Sequence, residues 1–467
     1  MPRLAKVLSF ALPAGAGLLV WRIFFPALMS FDSFTQYRQA WVGQYDDWHP
    51  PLMAIVLHQC FRLGHGVGMV TFVQCVAGVL GVRALAAAWL AAAFRRPVSP
   101  GWADGIAAGV ALLMVLPMSP LPFYLATFWK DSWAAVLLLW ICALSLRLLA
   151  AAPDDPDDPD DPRRTWFRAG ALVVLAVLLG LVRHNAIVVL PFAGLVLAAA
   201  LWRRSRGAAA PLALAVLALA PLLLALAGER AIDRIFDVKP RHLERLMMVF
   251  DLAGVCAEDE RICSELPYTR GHSGGGDLAR RYKPGDMGGS FPKGILVRDE
   301  DAATLRAEYL RVVRRFPGAL ARVKVEAFAP LLDPTGARMV VYRGLDGNEF
   351  GLQLNPRFAA VREWLGRAVL WAGERNPVVR PLVGSHLVWL ALNVVLIALL
   401  LVAPGRRRLA LALLIPLAFY LSYLLATPEP DYRFLAPSTF AIQCLTLASA
   451  LGYLAGWLAQ KPTGRAP

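Results

Sequence analysis

Four short polar clusters interrupt an otherwise apolar chain, and their residue types suit group transfer. The first joins Asp32 to Asp46, Asp47, Trp48 and His49; the second is Trp129-Lys130-Asp131. The third is Arg183-His184-Asn185, and the fourth runs Pro430-Asp431-Tyr432-Arg433-Phe434. Carboxylates supply a general base or metal ligands, while Lys130, Arg183 and Arg433 offer cations for an anionic leaving group. Arginine matches phosphate through its fork of donors and its permanent charge. Gln36, Tyr37, Arg38, Gln39 and Tyr45 add donors, acceptors and ring faces to the first cluster, a mixture that suits a sugar. Each cluster alone has a plain structural reading. Asp32 at the end of the first span could be a helix terminus, Lys130 could snorkel with Asp131 paired to it, and Arg183-His184-Asn185 could be a polar turn.

The elements that must position these residues are membrane spans. With 57% hydrophobic residues and a mean hydropathy of +0.51, the chain is too apolar for a soluble globular protein. Apolar runs of about 18 to 25 residues recur, the length a helix needs to cross the hydrocarbon layer. About ten are expected: 8–29, 67–93, 103–121, 132–150, 166–183, 186–202, 209–228, 383–403, a ninth ending at Thr427, and 436–458. The first is longer than a signal-peptide core and reads as a retained span. Arg95-Arg96, Arg203-Arg204-Ser205-Arg206, Arg406-Arg407-Arg408 and a tail with Lys461 and Arg465 mark one side as cytoplasmic. All four polar clusters then fall on the opposite, outer side. The net charge of +14 reads as basic helix ends, with no nucleic-acid partner.

The expected fold class is therefore an all-α polytopic membrane protein with a mixed extracytoplasmic domain inserted before the last three spans. Residues 1–228 form an N-terminal membrane module with catalytic outer loops 30–66 and 124–131. The outer domain covers 229–380, and 381–467 form the C-terminal membrane module. Within the first loop, Pro51 to Arg62 reads as a surface helix, and 302–328 carries a helical pattern broken at Pro317. The Asp-Asp-Pro repeats of 154–161 read as a solvated linker. The glycine-rich stretch 271–276 lacks the Lys-Ser or Lys-Thr of a phosphate cradle. Of six cysteines, Cys60, Cys75, Cys142 and Cys444 read as packing residues. Cys256 and Cys263 could form a local disulfide in an oxidising compartment.

At its polar clusters the chain resembles the glycosyltransferase C superfamily, membrane enzymes that use polyprenyl-phosphate sugars, such as protein O-mannosyltransferases and aminoarabinose lipid A transferases. Asp32, in Phe31-Asp32-Ser33, holds the place of the family's acidic residue at the end of the first span. Tyr45-Asp46-Asp47-Trp48-His49-Pro50-Pro51 is similar to the first loop of bacterial members. Asp131 falls where members carry a second acidic residue, and Pro430-Asp431-Tyr432-Arg433-Phe434 with Pro437 resembles the arginine-aromatic motif near the last spans. Ser33 departs from the glutamate usual in the mannosyltransferases, and the large outer domain precedes the last three spans where better-known members carry theirs C-terminally.

The resemblance implies a multi-pass enzyme of a bacterial inner membrane with its active site facing the periplasm or exterior. It would transfer a sugar, with inversion, from a polyprenyl-phosphate donor to a glycan, lipid or protein acceptor. Asp32 is the expected catalytic base. Asp46, Asp47, Trp48, His49, Lys130, Asp131, Arg183, His184 and Arg433 are the expected substrate-binding residues, and a divalent metal is optional. A transporter or flippase of a lipid-linked saccharide is the alternative. That class places ionisable residues near the bilayer midplane, often with inverted repeats, whereas these charges cluster at span ends and no repeat is visible. A membrane acyltransferase using His49 or His184 lacks a paired nucleophile.

Overall fold

A computed structural model describes residues 2–94, 100–150, 162–202, 210–267, 269, 279–290, 301–332, 339, 341–345, 347–427 and 429–460. The acidic tract 154–161, the glycine-rich stretch 271–276, the arginine groups at 95–96 and 203–206, Lys461 and Arg465 lie outside them. Among the described residues, regular structure is helical, with isolated β-bridges joining Leu28 to Thr127 and Asp46 to Lys239. Eight helices among these residues are long and apolar enough to cross a membrane.

In chain order the first helices are α1 (Pro2–Phe24), α2 (Phe31–Val42), α3 (Leu52–Arg62), α4 (Val67–Ala93), α5 (Pro100–Leu113), α6 (Leu121–Ala126) and α7 (Lys130–Ala150). There follow α8 (Pro162–Val182), a short helix His184–Val189 running into α9 (Leu190–Trp202), and α10 (Ala210–Ile235). The polar region holds α11 (Leu243–Glu258), α12 (Glu260–Ser264), α13 (Ala302–Arg315), α14 (Pro317–Leu332) and α15 (Ala359–Leu370). Last come α16 (His386–Val402), α17 (Ala410–Leu425) and α18 (Ala436–Gln460).

Two expected spans map to shorter helices. Residues 103–121 hold only the 14-residue α5, and 383–403 hold the 17-residue α16, about 21 and 26 Å long at 1.5 Å per residue. The first span also stops early, at Phe24, because Pro26 has no amide to donate and turns Phe25 away from helical backbone. Asp32 therefore does not end that span. It lies in the first turn of a separate helix, α2. The surface helix expected from Pro51 is α3, and the pattern at 302–328 resolves into α13 and α14 with Pro317 opening the second. Helix α10 continues past Gly228 to Ile235.

Helices α1 and α4 run antiparallel. The Trp21 indole donates to the Gly68 carbonyl at 2.8 Å near one end, and Arg83 donates to Ser9 at 3.0 Å toward the other. Arg83 also pairs with Asp104 at the start of α5. Gln74 donates to the carbonyls of Leu125 and Thr127 at 2.6 and 2.8 Å, so the chain climbs back along α4 between Asp104 and Thr127. Helices α9 and α10 pack backbone to backbone. A side chain at Gly194 would collide with the Ala218 carbonyl, so Gly194→Val should cost about 1–3 kcal/mol, read as a lowered thermal midpoint in detergent.

The polar region has its own core, with Leu252 and Val255 of α11 packed on Leu305, Val312 and Val323 of α13 and α14. Cys256 and Cys263 are disulfide-bonded, fastening α12 to α11. Inside this core Asp251 receives Lys324 Nζ at 2.6 Å and the Tyr309 hydroxyl at 3.1 Å. Lys324 also donates to the Leu425 carbonyl at the end of α17, which docks the region on the helical bundle.

Candidate active site

Helix α2 begins with a capping box. Ser30 Oγ accepts from the Ser33 amide at 3.3 Å, and the Ser30 amide donates to Ser33 Oγ at 3.0 Å. Gly43 closes the helix with left-handed backbone, φ 74°. Ser33 thus has a structural task, and its hydroxyl also donates to the Phe128 carbonyl at 2.7 Å. The segment before α2 pairs with the one before α7. Leu28 donates to Ala126 and Phe128 donates to Leu28, both at 2.9 Å, and the Trp129 indole reaches Ser30 Oγ at 2.7 Å. These bonds set Asp32 beside the start of α7, where Lys130 and Asp131 lie.

There the expected residues converge. Arg433 Nη1 meets Asp32 Oδ2 at 2.8 Å, and its Nε meets Asp431 Oδ2 at 2.9 Å. Its guanidinium lies 5.2 Å above the rings of both Trp129 and Phe434. His49 Nε2 stands 3.6 Å from Asp32 Oδ1, and its Nδ1 is 2.6 Å from Lys130 Nζ. With the ammonium donating to Nδ1, the imidazole proton sits on Nε2 and faces Asp32. Arg183 Nη1 lies 2.7 Å from Asp131 Oδ1, and Arg183 also donates to the Tyr423 hydroxyl. Asp131 is 1% exposed, and among the described residues neither of its carboxylate oxygens has a hydrogen-bond partner. Two details differ from expectation. Asp131 pairs with Arg183 and not with Lys130, and Arg183 is buried instead of lying on an open turn.

Packing explains that burial. Arg183 precedes the short helix in extended backbone, which turns its side chain inward under Tyr423 and Phe434 while His184 stays outside. The 3₁₀ turn Tyr432–Phe434 is capped by Asp431, whose Oδ1 accepts from the Arg433 amide at 3.0 Å. One carboxylate therefore both fixes the turn and neutralises the arginine it presents.

The other first-loop residues do a different job. Asp46 Oδ2 binds Arg241 Nη2 at 3.0 Å, and Gln39 donates to Asp46 Oδ1 at 2.9 Å. Asp47 accepts from the Arg241 amide, and its own amide donates to the Lys239 carbonyl at 3.2 Å. His184 lies between the Asp47 carbonyl, 3.3 Å away, and Glu229, 3.6 Å away. Trp48 is exposed at the loop tip. Asp46, Asp47 and His184 thus tie the first loop to residues 229–241. Asp431 and Arg241 are the partners that sequence reasoning had not assigned. Two residues before Arg433, Asp431 stands at N-cap spacing, a signal that could have found it. Arg241 carries no local signal.

Burial would raise the Asp32 carboxyl, yet the His49 contact and the charges of Arg433 and Lys130 outweigh it and hold the group well below the usual carboxylate range. Burial, aided by Lys130, pushes His49 below its ordinary value against the pull of Asp32. Asp431 moves the other way. Burial lifts it to about 6 despite Arg433. As pH falls through about 6, Asp431 becomes neutral and Arg433 keeps one carboxylate instead of two. Affinity for sulfate, an anion that does not titrate here, should rise about fivefold between pH 7.5 and 5.5, equivalent to about 1 kcal/mol. Calorimetric titration should show that step in the native protein and not in Asp431→Asn. His49, already depressed, protonates lower on the scale.

A divalent cation does not fit this donor set. No group of three His, Cys, Asp or Glu side chains among the described residues could hold one, and Asp32 and Asp131 are each already faced by arginine. The network is instead a set of three cations, Lys130, Arg183 and Arg433, held at one end of the bundle by carboxylates that an incoming anion could replace. Comparison of the chain with protein-family models, curated proteins and solved structures finds no match.

Proposed function

We propose that the protein is a multi-pass glycosyltransferase of a bacterial inner membrane, with about ten spans, moving a sugar from a polyprenyl-phosphate donor to an envelope acceptor on the outer face. One observation carries the reading: Asp32, His49, Lys130 and Arg433, drawn from distant parts of the chain, meet in a single half-buried network. The disulfide in the polar region supports an oxidising outer compartment. The resemblance of the same residues to the glycosyltransferase C pattern supports the reaction class. The charges gather at helix ends, whereas transporters place theirs near mid-membrane.

In the proposed reaction the donor phosphate enters beside Lys130 and Arg433. An acceptor hydroxyl oxygen attacks the anomeric carbon from the face opposite the phosphate. A new C–O bond forms as the bond from that carbon to the phosphate oxygen breaks, and the phosphate leaves with the electron pair. The hydroxyl proton goes to Asp32. In the ion-paired state Asp32 is a weak base, because its proton affinity is depressed. Phosphate drawing Arg433 toward itself would weaken that pairing and raise the affinity of Asp32 for the proton at the moment of need. Base strength would thus depend on the donor being bound.

The test is transfer from a radiolabelled polyprenyl-phosphate sugar in membranes that hold the Asp32→Asn protein. Loss of a proton acceptor with shape retained should slow transfer about 10²-fold. Wild-type rates at equal protein level would remove Asp32 from the chemistry.

A further inference from the structure

A cleft of about 950 Å³ opens between the start of α2 and the segment 341–350. Helix α2 serves two regions with two faces. Asp32, Gln36 and Gln39, spaced i, i+4, i+7, lie toward the ion network and Asp46, whereas Phe31, Phe34 and Arg38 line the cleft. The opposite wall brings Tyr342, whose ring stands 5.7 Å from that of Trp129, and Phe350, 4.6 Å from Tyr37. Trp129, buried behind the cleft lining, is also the ring beneath Arg433, so it stands between Tyr342 and the network.

The lining is not that of a lipid groove. Arg38 donates to Glu349 at 3.0 Å, and Arg343 donates to Glu363 at 2.7 Å, so two balanced ion pairs stand among the rings. Both pairs are well exposed, which leaves their remaining donors and acceptors open to hydroxyl groups. Phe31, 85% exposed, offers a bare ring face at the mouth, one bond along the chain from Asp32. Aromatic faces alternating with charge-balanced hydrogen-bonding groups match a carbohydrate, whose C–H faces stack and whose hydroxyls bridge. An acyl chain would leave both ion pairs unused.

We propose that this cleft binds the saccharide chain of the acceptor. The word acceptor rests on the transferase reading above; the saccharide does not. Successive residues on a helix point about 100° apart, so a ligand reaching from Phe31 to Asp32 must pass over the first turn of α2. That geometry favours an oligosaccharide over a single ring. Its terminal sugar would present the hydroxyl at Asp32 while earlier units stack in the cleft.

The experiment uses the full chain in lipid nanodiscs and saturation-transfer NMR with maltotriose, mannotriose and chitotriose. At least one trisaccharide should show transfer to its ring C–H protons, weakened fivefold or more in Phe31→Ala and in Glu349→Gln. Both weakening variants alter exposed side chains, so failure to fold does not account for a loss. Absence of transfer to all three sugars, or transfer unmoved by both variants, overturns the proposal. So does a signal confined to the acyl protons of dihexanoyl phosphatidylcholine and lost in Phe31→Ala, since the cleft would then hold lipid. Trisaccharide binding beside wild-type transfer by Asp32→Asn would sink the transferase reading and leave the cleft standing. Asp32-dependent transfer without trisaccharide binding would do the reverse.

Discussion

Arg433→Gln should lower transfer from a polyprenyl-phosphate sugar about 10³-fold, the cost of removing one preorganised donor from a developing anion. The physical basis is the double engagement of this arginine, 2.8 Å from Asp32 and 2.9 Å from Asp431, over the rings of Trp129 and Phe434. Glutamine keeps some length but no charge, so a leaving phosphate would lose one of its cations. Arg433→Lys should recover only a small part, because one ammonium cannot span two carboxylates as a planar fork does. Initial rates in membranes, normalised to protein level, measure both. The pH profile adds a second readout. Without Arg433 the Asp32 carboxyl should move up toward its ordinary range, and residual activity should titrate with it. Unchanged rates in Arg433→Gln would exclude this arginine from the site.

Asp131→Asn should be the most damaging single change for stability, at about 3–5 kcal/mol, because it strands a buried guanidinium. Arg183 lies 2.7 Å from Asp131, with both side chains buried. Its remaining company is the Tyr423 hydroxyl and two rings, which cannot neutralise it. Removing both charges, as Asp131→Asn with Arg183→Gln, should restore most of the loss, since a buried pair is costly to break and cheap to replace. Thermal unfolding in detergent separates the cases. A single variant as stable as native protein would show the pair to be dispensable.

Much of the bundle was legible because hydropathy and helix length are local properties. The eight apolar helices, the helix from Leu52 and the break at Pro317 each follow from a short window of residues. The candidate site was legible in its residue types and not in its partners. Asp131 looked toward Lys130, its neighbour in sequence, but a helix turns adjacent side chains apart and Arg183 lay within reach. Asp46 and Asp47 read as substrate-binding residues beside His49, and their partners in the structure come from residues 239–241, which no nearby pattern announces. The misplaced end of the first span has a plainer cause. Apolar residues run on to Met29, and Pro26 within that run decides where helical hydrogen bonding stops.

The two backbone bonds between Leu28 and residues 126–128, with the Ser33 and Trp129 bonds beside them, strap the roots of α2 and α7 together. Asp32 and Lys130 consequently travel as one rigid jaw, and neither can swing aside to admit a bulky molecule. The 3₁₀ turn that carries Arg433 is fastened as well, the Tyr432 carbonyl accepting from His386 Nε2 and the Tyr432 hydroxyl donating to the Val383 carbonyl, both at 2.9 Å. Backbone is thus held on both sides of the gap, and any opening at this end of the bundle falls to side-chain rotation.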